Sequence, residues 1–248
     1  MVLLYKAIFR VDFDQKYEFA DHPGTITQTI LNVAKNFWEI VGPTNVVYQI
    51  NAVRDLSKGR TRAGANFSVD TNAISGNVDF DEGLSFEEFV EGKYLNICSE
   101  TLEELISRFE VRNFNRVGVR LFMAGGSTKN FIDHRKNVAN RYYETIVPDG
   151  LRTPLSIADA AMVIVGSFDH DIQFRLHSGP GNENDIVQFL ERDLDGGGGK
   201  ITPHEFAADI DIYQHNINFK GTNLRRWIKA KEPYVRDLLV VADYANRG

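Results

Sequence analysis

Five side chains in the second half of the chain have the chemical types that bind divalent metal ions. They are Asp169, Asp171, His177, Asp209 and Asp211. Carboxylate oxygens and imidazole nitrogens form hard and borderline ligand sets, and a metal held by them could support hydrolysis. Side chains alternate in an unbroken strand, so residues 169, 171 and 177 would share one face, and the last two aspartates would share another. We favour the alternative in which residues 168–171 form a hairpin turn and the last two aspartates line the exposed face of a strand.

A glycine-rich segment, DLDGGGGKITPHEF, has part of the pattern of a calcium-binding EF-hand loop. Its oxygen ligands would come from Asp193, Asp195 and Glu205. The segment is one residue too long to satisfy both ends of the motif, and Gly197 stands where a side-chain oxygen is required. The residues that follow, FAADIDIYQHNINF, alternate with period two and predict a strand, whereas the motif needs a helix. A phosphate-binding loop fits less well. We therefore favour a connecting loop, and whether it binds an ion stays open.

Arg116 and Arg120 are the two cations for which we predict contact with a ligand. They lie in the run RVGVRLFM, where alternation predicts a strand, so both would project from one face. Two guanidinium groups on one face can grip a carboxylate or a phosphate bidentately. The competing interpretation is that they are solvated or form ion pairs within the protein.

Composition narrows the class of function. The formal net charge of −6 makes attraction to nucleic acid or to an anionic membrane unexpected. The chain lacks the G-x-S-x-G, H-E-x-x-H and C-x-x-C motifs, so no enzyme class is indicated. Its single cysteine, Cys98, is expected to be a buried apolar residue, which fits a reducing compartment. No stretch approaches the roughly 18 apolar residues of a membrane span, and we expect a cytoplasmic protein.

Alternation of apolar and polar residues predicts β-strands along much of the chain. The predicted strands are LLYKAIFRVDF, VVYQINAV, AGANFSVD, ISGNVDF, RVGVRLFMAGG, AAMVIVGS, HDIQFRLHS and FAADIDIYQHNINF. Short polar turns separate the second, third and fourth of these runs, so we expect them to form an antiparallel meander.

Apolar residues at three- and four-residue steps predict amphipathic helices between these strands. The first helix is predicted over residues 26–41, ending at a Gly-Pro pair. The segments LSFEEFVEGKYLNI, SETLEELISRF and DHRKNVANRYYETI are also predicted to be helical, with Ser99 or Thr101 as the N-cap of the second. A terminal helix is predicted over residues 223–244, with a kink at Pro233.

Together these elements predict an α+β fold with two antiparallel sheet regions, each backed by a long amphipathic helix. The repetition of sheet and helix suggests two pseudo-related halves, residues 1–125 and 155–248. The segment 126–154, rich in Gly, Pro and polar residues at its ends, would connect them.

Two short motifs resemble a sporadically distributed bacterial family of about this length and of unknown function. They are EVRNFNRVGVRLFM, after a helical segment, and AADIDIYQHNI, before the terminal helix. Members of that family carry an Arg-x-Gly-x-Arg strand mid-chain and an Asp-x-Asp strand near the end. They continue the first motif with Tyr-Ile-Asn, where this chain has Leu121, Phe122 and Met123. The resemblance transfers no catalytic residues, and the patchy distribution of the family implies mobile elements or phage defence.

We therefore expect a non-enzymatic binding or assembly protein that needs no cofactor. It would be a cytoplasmic accessory subunit of a bacterial defence or mobile-element system, with a protein partner or a second copy of itself. The alternative is a metal-dependent enzyme of the hydrolase or nuclease class that uses the Asp and His cluster with a divalent metal.

Overall fold

One antiparallel sheet forms the centre of the protein, and the helices of the main core cover one of its faces. The computed structural model describes residues 2–33, 39–44, 47–54, 63–125, 131–146, 160–169, 171–180, 206–217 and 223–246. Its strands are β1 (Val2–Asp12), β2 (Glu39–Thr44), β3 (Val47–Arg54), β4 (Ala63–Val69), β5 (Ala73–Leu84), β6 (Phe114–Gly125), β7 (Met162–Ser167), β8 (Ile172–Pro180) and β9 (Phe206–Ile217). Their order is β2-β3-β4-β5-β1-β6-β9-β8-β7, with antiparallel pairing throughout. The predicted α+β class and the antiparallel meander are confirmed.

Helices pack mainly against one side of the sheet. They are α1 (Glu18–Asp21), α2 (Pro23–Val33), α3 (Phe86–Glu91), α4 (Lys93–Arg108), α5 (Phe131–Ile146), α6 (Leu224–Lys229) and α7 (Glu232–Ala245). Buried residues of α2, α4, α6 and α7 join those of the sheet in the main apolar core. A smaller buried cluster, Tyr5, Phe122, Ala124 and Ala207, lies on the other face of the sheet. No helix in the described ranges is long and apolar enough to cross a membrane.

Strand alternation decides which side chains enter this core. In β1, Ala7, Phe9 and Val11 face the helices and are buried, while the residues between them point to the other side of the sheet. Cys98 lies in α4 within the same core and is fully buried, as expected. Its burial raises the pKa of the thiol to about 12, so the thiol stays protonated and behaves as an apolar group.

The first predicted helix is wrong at its C-terminal end, where residues 39–41 lie in a strand. Helix α2 ends at Val33, and residues 39–44 form β2, which pairs with β3. Ile40 and Val41 are β-branched and fit a strand as well as a helix, so their periodicity was ambiguous. Pro43 cannot donate a ladder hydrogen bond, but it is tolerated in β2 because this strand lies at the edge of the sheet.

The helix that we predicted to begin at Ser99 or Thr101 begins earlier. Both residues lie inside α4, which starts at Lys93, so neither is its N-cap. Thr101 instead donates its hydroxyl to the Ile97 carbonyl oxygen four residues back. A capping box is present at α3, where the Ser85 hydroxyl accepts from the Glu88 amide and the Glu88 carboxylate accepts from the Ser85 amide.

The predicted terminal helix is divided into α6 and α7 just before Pro233, where a kink was expected. The break falls at Ala230 and Lys231. Pro233 lies in the first turn of α7, where its missing N–H removes no helical hydrogen bond.

The two predicted sheet regions are joined into one sheet by pairing of β6 with β9. Strands β1 to β6 lie on one side of this seam, and β7 to β9 lie on the other. Leu121, Ile210 and Leu176 lie opposite one another across β6, β9 and β8 and are fully buried. The core therefore continues through the seam, while the division into halves at residues 125 and 155 stays a prediction.

Candidate functional site

Four charged residues pair across the seam on the sheet face opposite the helices. Arg120 grips Asp209 with two hydrogen bonds, from Nε to Oδ1 at 2.8 Å and from Nη2 to Oδ2 at 2.6 Å. Arg116 donates from Nη2 to Oδ2 of Asp211 at 3.1 Å. We call this set the Arg–Asp ladder. The ladder contains both arginines that were predicted to contact a ligand and two of the five predicted metal ligands. The two sequence motifs therefore pair with each other.

The register of β6 and β9 shows how the two motifs meet across the seam. Arg120 lies directly opposite Asp211, and it reaches diagonally to Asp209 on the neighbouring pair of residues. Diagonal neighbours in an antiparallel pair are within reach of a long side chain. Arg116 lies opposite His215 and reaches Asp211 two same-face residue pairs further along the seam, past Gly118 and Tyr213. Both guanidinium groups therefore lean in the same direction along the seam to meet the carboxylates of β9.

Gly118, between the two arginines, leaves room for an aromatic side chain. It lies opposite Tyr213, and a Cβ atom at Gly118 would be 3.2 Å from the Tyr213 Cβ atom. The Arg116 Cζ atom lies 4.6 Å from the centre of the Tyr213 ring, in a cation–π contact. A steric requirement therefore explains the glycine in the motif, because a larger residue would displace Tyr213 from Arg116.

The ladder is held partly inside the protein. The exposed fraction of the side chain is 7% for Asp209 and 24% for Asp211, against 32% for Arg116 and 42% for Arg120. Burial raises the pKa of Asp211, and the Asp209 charge raises it further, although the charges of Arg116, Arg120 and Arg175 act in the opposite direction. The carboxylate of Asp211 is therefore kept on this face at a cost in stability.

Asp211→Asn is expected to raise the free energy of unfolding at neutral pH. A raised pKa means that the folded protein holds the Asp211 proton more tightly than the unfolded chain does, so ionisation above that pKa lowers stability. Asparagine avoids this charge and can still accept the hydrogen bond from Arg116. The gain should shrink as the pH falls through the raised pKa towards the ordinary value of 3.8. Urea unfolding at neutral and acidic pH measures it, and a less stable variant at neutral pH would contradict the expectation.

Three further residues extend the site: Arg175, His177 and Tyr213. Only His177 was a candidate from the sequence. Arg175 of β8 lies opposite Asp211, and His177 lies opposite Asp209. Arg175 is exposed and makes no hydrogen bond or ion pair with the described residues. Arg175 has the same parity in its strand as His177, and Tyr213 has the same parity as Asp211. Residues of equal parity share one face of a strand, so this spacing could have identified both Arg175 and Tyr213 in the sequence.

The five predicted metal ligands fall into two separate places. Asp169 and Asp171 lie in the turn between β7 and β8, where the favoured interpretation placed them, and Asp169 accepts a hydrogen bond from the Tyr234 hydroxyl. His177 lies six residues further along β8, a distance of roughly 20 Å at the usual rise of a strand. Among the described residues, no three His, Cys, Asp or Glu side chains are arranged to hold a metal ion.

The predicted calcium ligands Asp193, Asp195 and Glu205 lie outside the described residues. The segment immediately after them is strand β9, which begins at Phe206. The predicted strand is therefore confirmed at the position where an EF-hand would require its second helix.

The clefts of the helix-covered side are separate from the ladder. One, of about 430 Å³, lies between α2 and α4, and another, of about 390 Å³, lies where α1 and α2 meet the end of α4. The ladder lies on the opposite face of the sheet, across the middle strands. A broad surface of this kind suits a macromolecular partner better than a small molecule, which usually binds in a cavity.

The fold and the ladder define an α+β protein with one antiparallel sheet and a charged, aromatic platform on the face without the core helices. Comparison with protein families finds no family model that matches the chain, and the search of curated proteins gives no significant match.

Proposed function

We propose that the protein is a non-enzymatic binding or assembly protein and that the Arg–Asp ladder face docks a protein partner. The observation that carries this proposal is the arrangement of Arg116, Arg120 and Tyr213 on adjacent central strands, half-exposed and fixed by their own contacts. Arginine and tyrosine are the residues that most often dominate the energy of a protein interface. Side chains already held in place lose little conformational entropy on binding.

The charges of this face indicate the chemistry of the partner. Arg116, Arg120 and Arg175 bring three positive charges against the two of Asp209 and Asp211, on a chain whose net charge is −6. Arg175 acts on Asp211 by charge alone and has no hydrogen-bonded partner among the described residues, so its guanidinium can meet a carboxylate of the partner in a charge-assisted hydrogen bond. We propose an acidic protein segment as the ligand of this face.

The finer assignment follows the sequence resemblance. The partner would belong to a bacterial defence or mobile-element system, in which this chain acts as a cytoplasmic accessory subunit without a cofactor. The alternative of a metal-dependent hydrolase or nuclease has less support, because no three His, Cys, Asp or Glu side chains of the described residues are arranged to hold a metal ion.

Arg175→Glu is expected to weaken binding to the partner at least tenfold, because it places a negative charge opposite the acidic segment. The partner is first identified by affinity purification of the tagged chain from its native host, and its dissociation constant is then measured with both proteins purified. Arg112→Glu is the matched control, since Arg112 is exposed and lies outside the ladder face. It should change the constant less than twofold, a difference of roughly 0.4 kcal/mol. Equal weakening by both variants, or none by Arg175→Glu, would refute the proposal.

A further inference from the structure

Strand β7 leaves one edge of the sheet with outward-facing backbone groups. The Phe168 amide donates to the Ile172 carbonyl oxygen at 2.9 Å, and this bond fixes the phase of the β7–β8 ladder. In an antiparallel pair the bonding residues alternate, so Ile164 bonds towards β8. The N–H and C=O groups of Val163 and Val165 therefore point away from β8, along the outer edge. Within the described part of the chain, neither residue makes a further bond beyond this ladder.

The side chains of β7 do nothing to protect this edge. Val163 is 53% exposed and Val165 is 67% exposed, and Met162–Ser167 contains no charged residue and no proline. The opposite edge strand, β2, carries Glu39 and Pro43 and an irregular register between Ile40 and Pro43. Charge, proline and bulges are the devices that prevent edge pairing, and β7 has none of them.

We propose that two copies of this chain pair through β7 and extend the sheet across a twofold axis. With the axis at Ile164, Val163 lies opposite the partner's Val165, and Val165 lies opposite the partner's Val163. These are the residues whose backbone groups point outward, so each opposed pair exchanges two hydrogen bonds. Pairs of β-branched side chains directly opposite each other stabilise an antiparallel sheet. The strand is thus complementary to itself in one definite register, as a twofold interface requires.

Charge favours a second copy as the occupant of this edge. The pairing brings no like charges together, because β7 is uncharged. Arg175 on β8 is three strand spacings, roughly 14 Å, from β8 of the other copy. That separation exceeds the screening length at ordinary ionic strength, so repulsion between the copies is weak.

The pairing has a consequence for the ladder face. A twofold axis perpendicular to the sheet leaves the corresponding faces of both copies on the same side. Two Arg–Asp ladders would then face one partner assembly, which raises the avidity for a partner with two acidic segments. The pairing itself depends only on β7 and not on the proposed function of the ladder.

Sedimentation velocity or light scattering of the purified chain tests this inference. At about 100 μM the wild-type protein should have twice its 28.1 kDa mass, and the mass should fall on dilution. Val165→Lys should remain at the single-chain mass, because lysine on an edge strand opposes pairing. Val240→Lys is the control, since Val240 is 68% exposed on α7, and it should dimerise like the wild type. Far-ultraviolet circular dichroism verifies that both variants are folded.

A cysteine cross-link tests the register. Ile164→Cys places two thiols across the axis at a closely spaced position, so mild oxidation should give a covalent dimer. The native Cys98 does not interfere because it is buried. A wild-type protein that stays at the single-chain mass would overturn the proposal. So would a dimer that persists in Val165→Lys, or one that Ile164→Cys fails to cross-link.

Discussion

Arg120→Met is expected to lower the free energy of unfolding by about 2 kcal/mol, and Asp209→Asn by about 1 kcal/mol, although both remove the same ion pair. The asymmetry comes from burial, because the Asp209 side chain is only 7% exposed and that of Arg120 is 42% exposed. Without Arg120, the Asp209 carboxylate is left in a site that excludes water. Without the Asp209 charge, Arg120 can turn towards the solvent, so the loss is smaller.

Urea unfolding of the two variants and of the double variant measures this effect as a cycle. The coupling free energy between Arg120 and Asp209 should be about 1–2 kcal/mol. Arg10 and Asp12 provide a matched control on the same face, because they also pair closely, at 2.6 Å, but Arg10 is more exposed. Arg10→Met should cost less than about 0.5 kcal/mol. Equal losses from Arg120→Met and Asp209→Asn would show that burial does not control the ladder.

The sequence could predict which side chains share the ladder face, but it could not predict which of them pair. Alternation in β6 and β9 correctly placed Arg116 with Arg120, and Asp209 with Asp211, on one face of each strand. The partners Arg120 and Asp209 are 89 residues apart in sequence. Periodicity describes which side of its own strand a residue occupies, but it does not tell which strand lies beside it. Ion pairing within the protein, weighed as the competing interpretation for the arginines, is what the structure shows.

The incorrect predictions have two physical causes. At Ile40 and Val41, apolar residues fit both a helix and a strand, and pairing with β3 decided in favour of the strand. At Thr101, a residue type that often caps helices was accommodated inside one, because its hydroxyl bonds back to the Ile97 carbonyl oxygen. The β2–β3 pairing is a tertiary contact that a single window of sequence does not contain, whereas the Thr101 bond is local but compatible with either a cap or a helix interior.

The seam between β6 and β9 leads to a second large effect. Ile210→Ala is expected to lower the free energy of unfolding by about 3 kcal/mol, because it opens a cavity between Leu121 and Leu176 in the buried row that crosses the seam. Since the core continues across the seam, the protein should still unfold in a single transition. Val240→Ala, at an exposed valine, should change stability by less than about 0.5 kcal/mol.

Native-state hydrogen exchange locates the effect of Ile210→Ala. If the two sides of the seam unfold together, the most protected amides of β1 and of β8 should lose protection equally, because both exchange through the same global opening. A loss confined to β7, β8 and β9, or a second unfolding transition, would instead show that the strands after residue 155 form a separate cooperative unit. The predicted division of the chain into halves would then describe its energetics, and the seam would be an interface between two folded parts instead of the middle of one core.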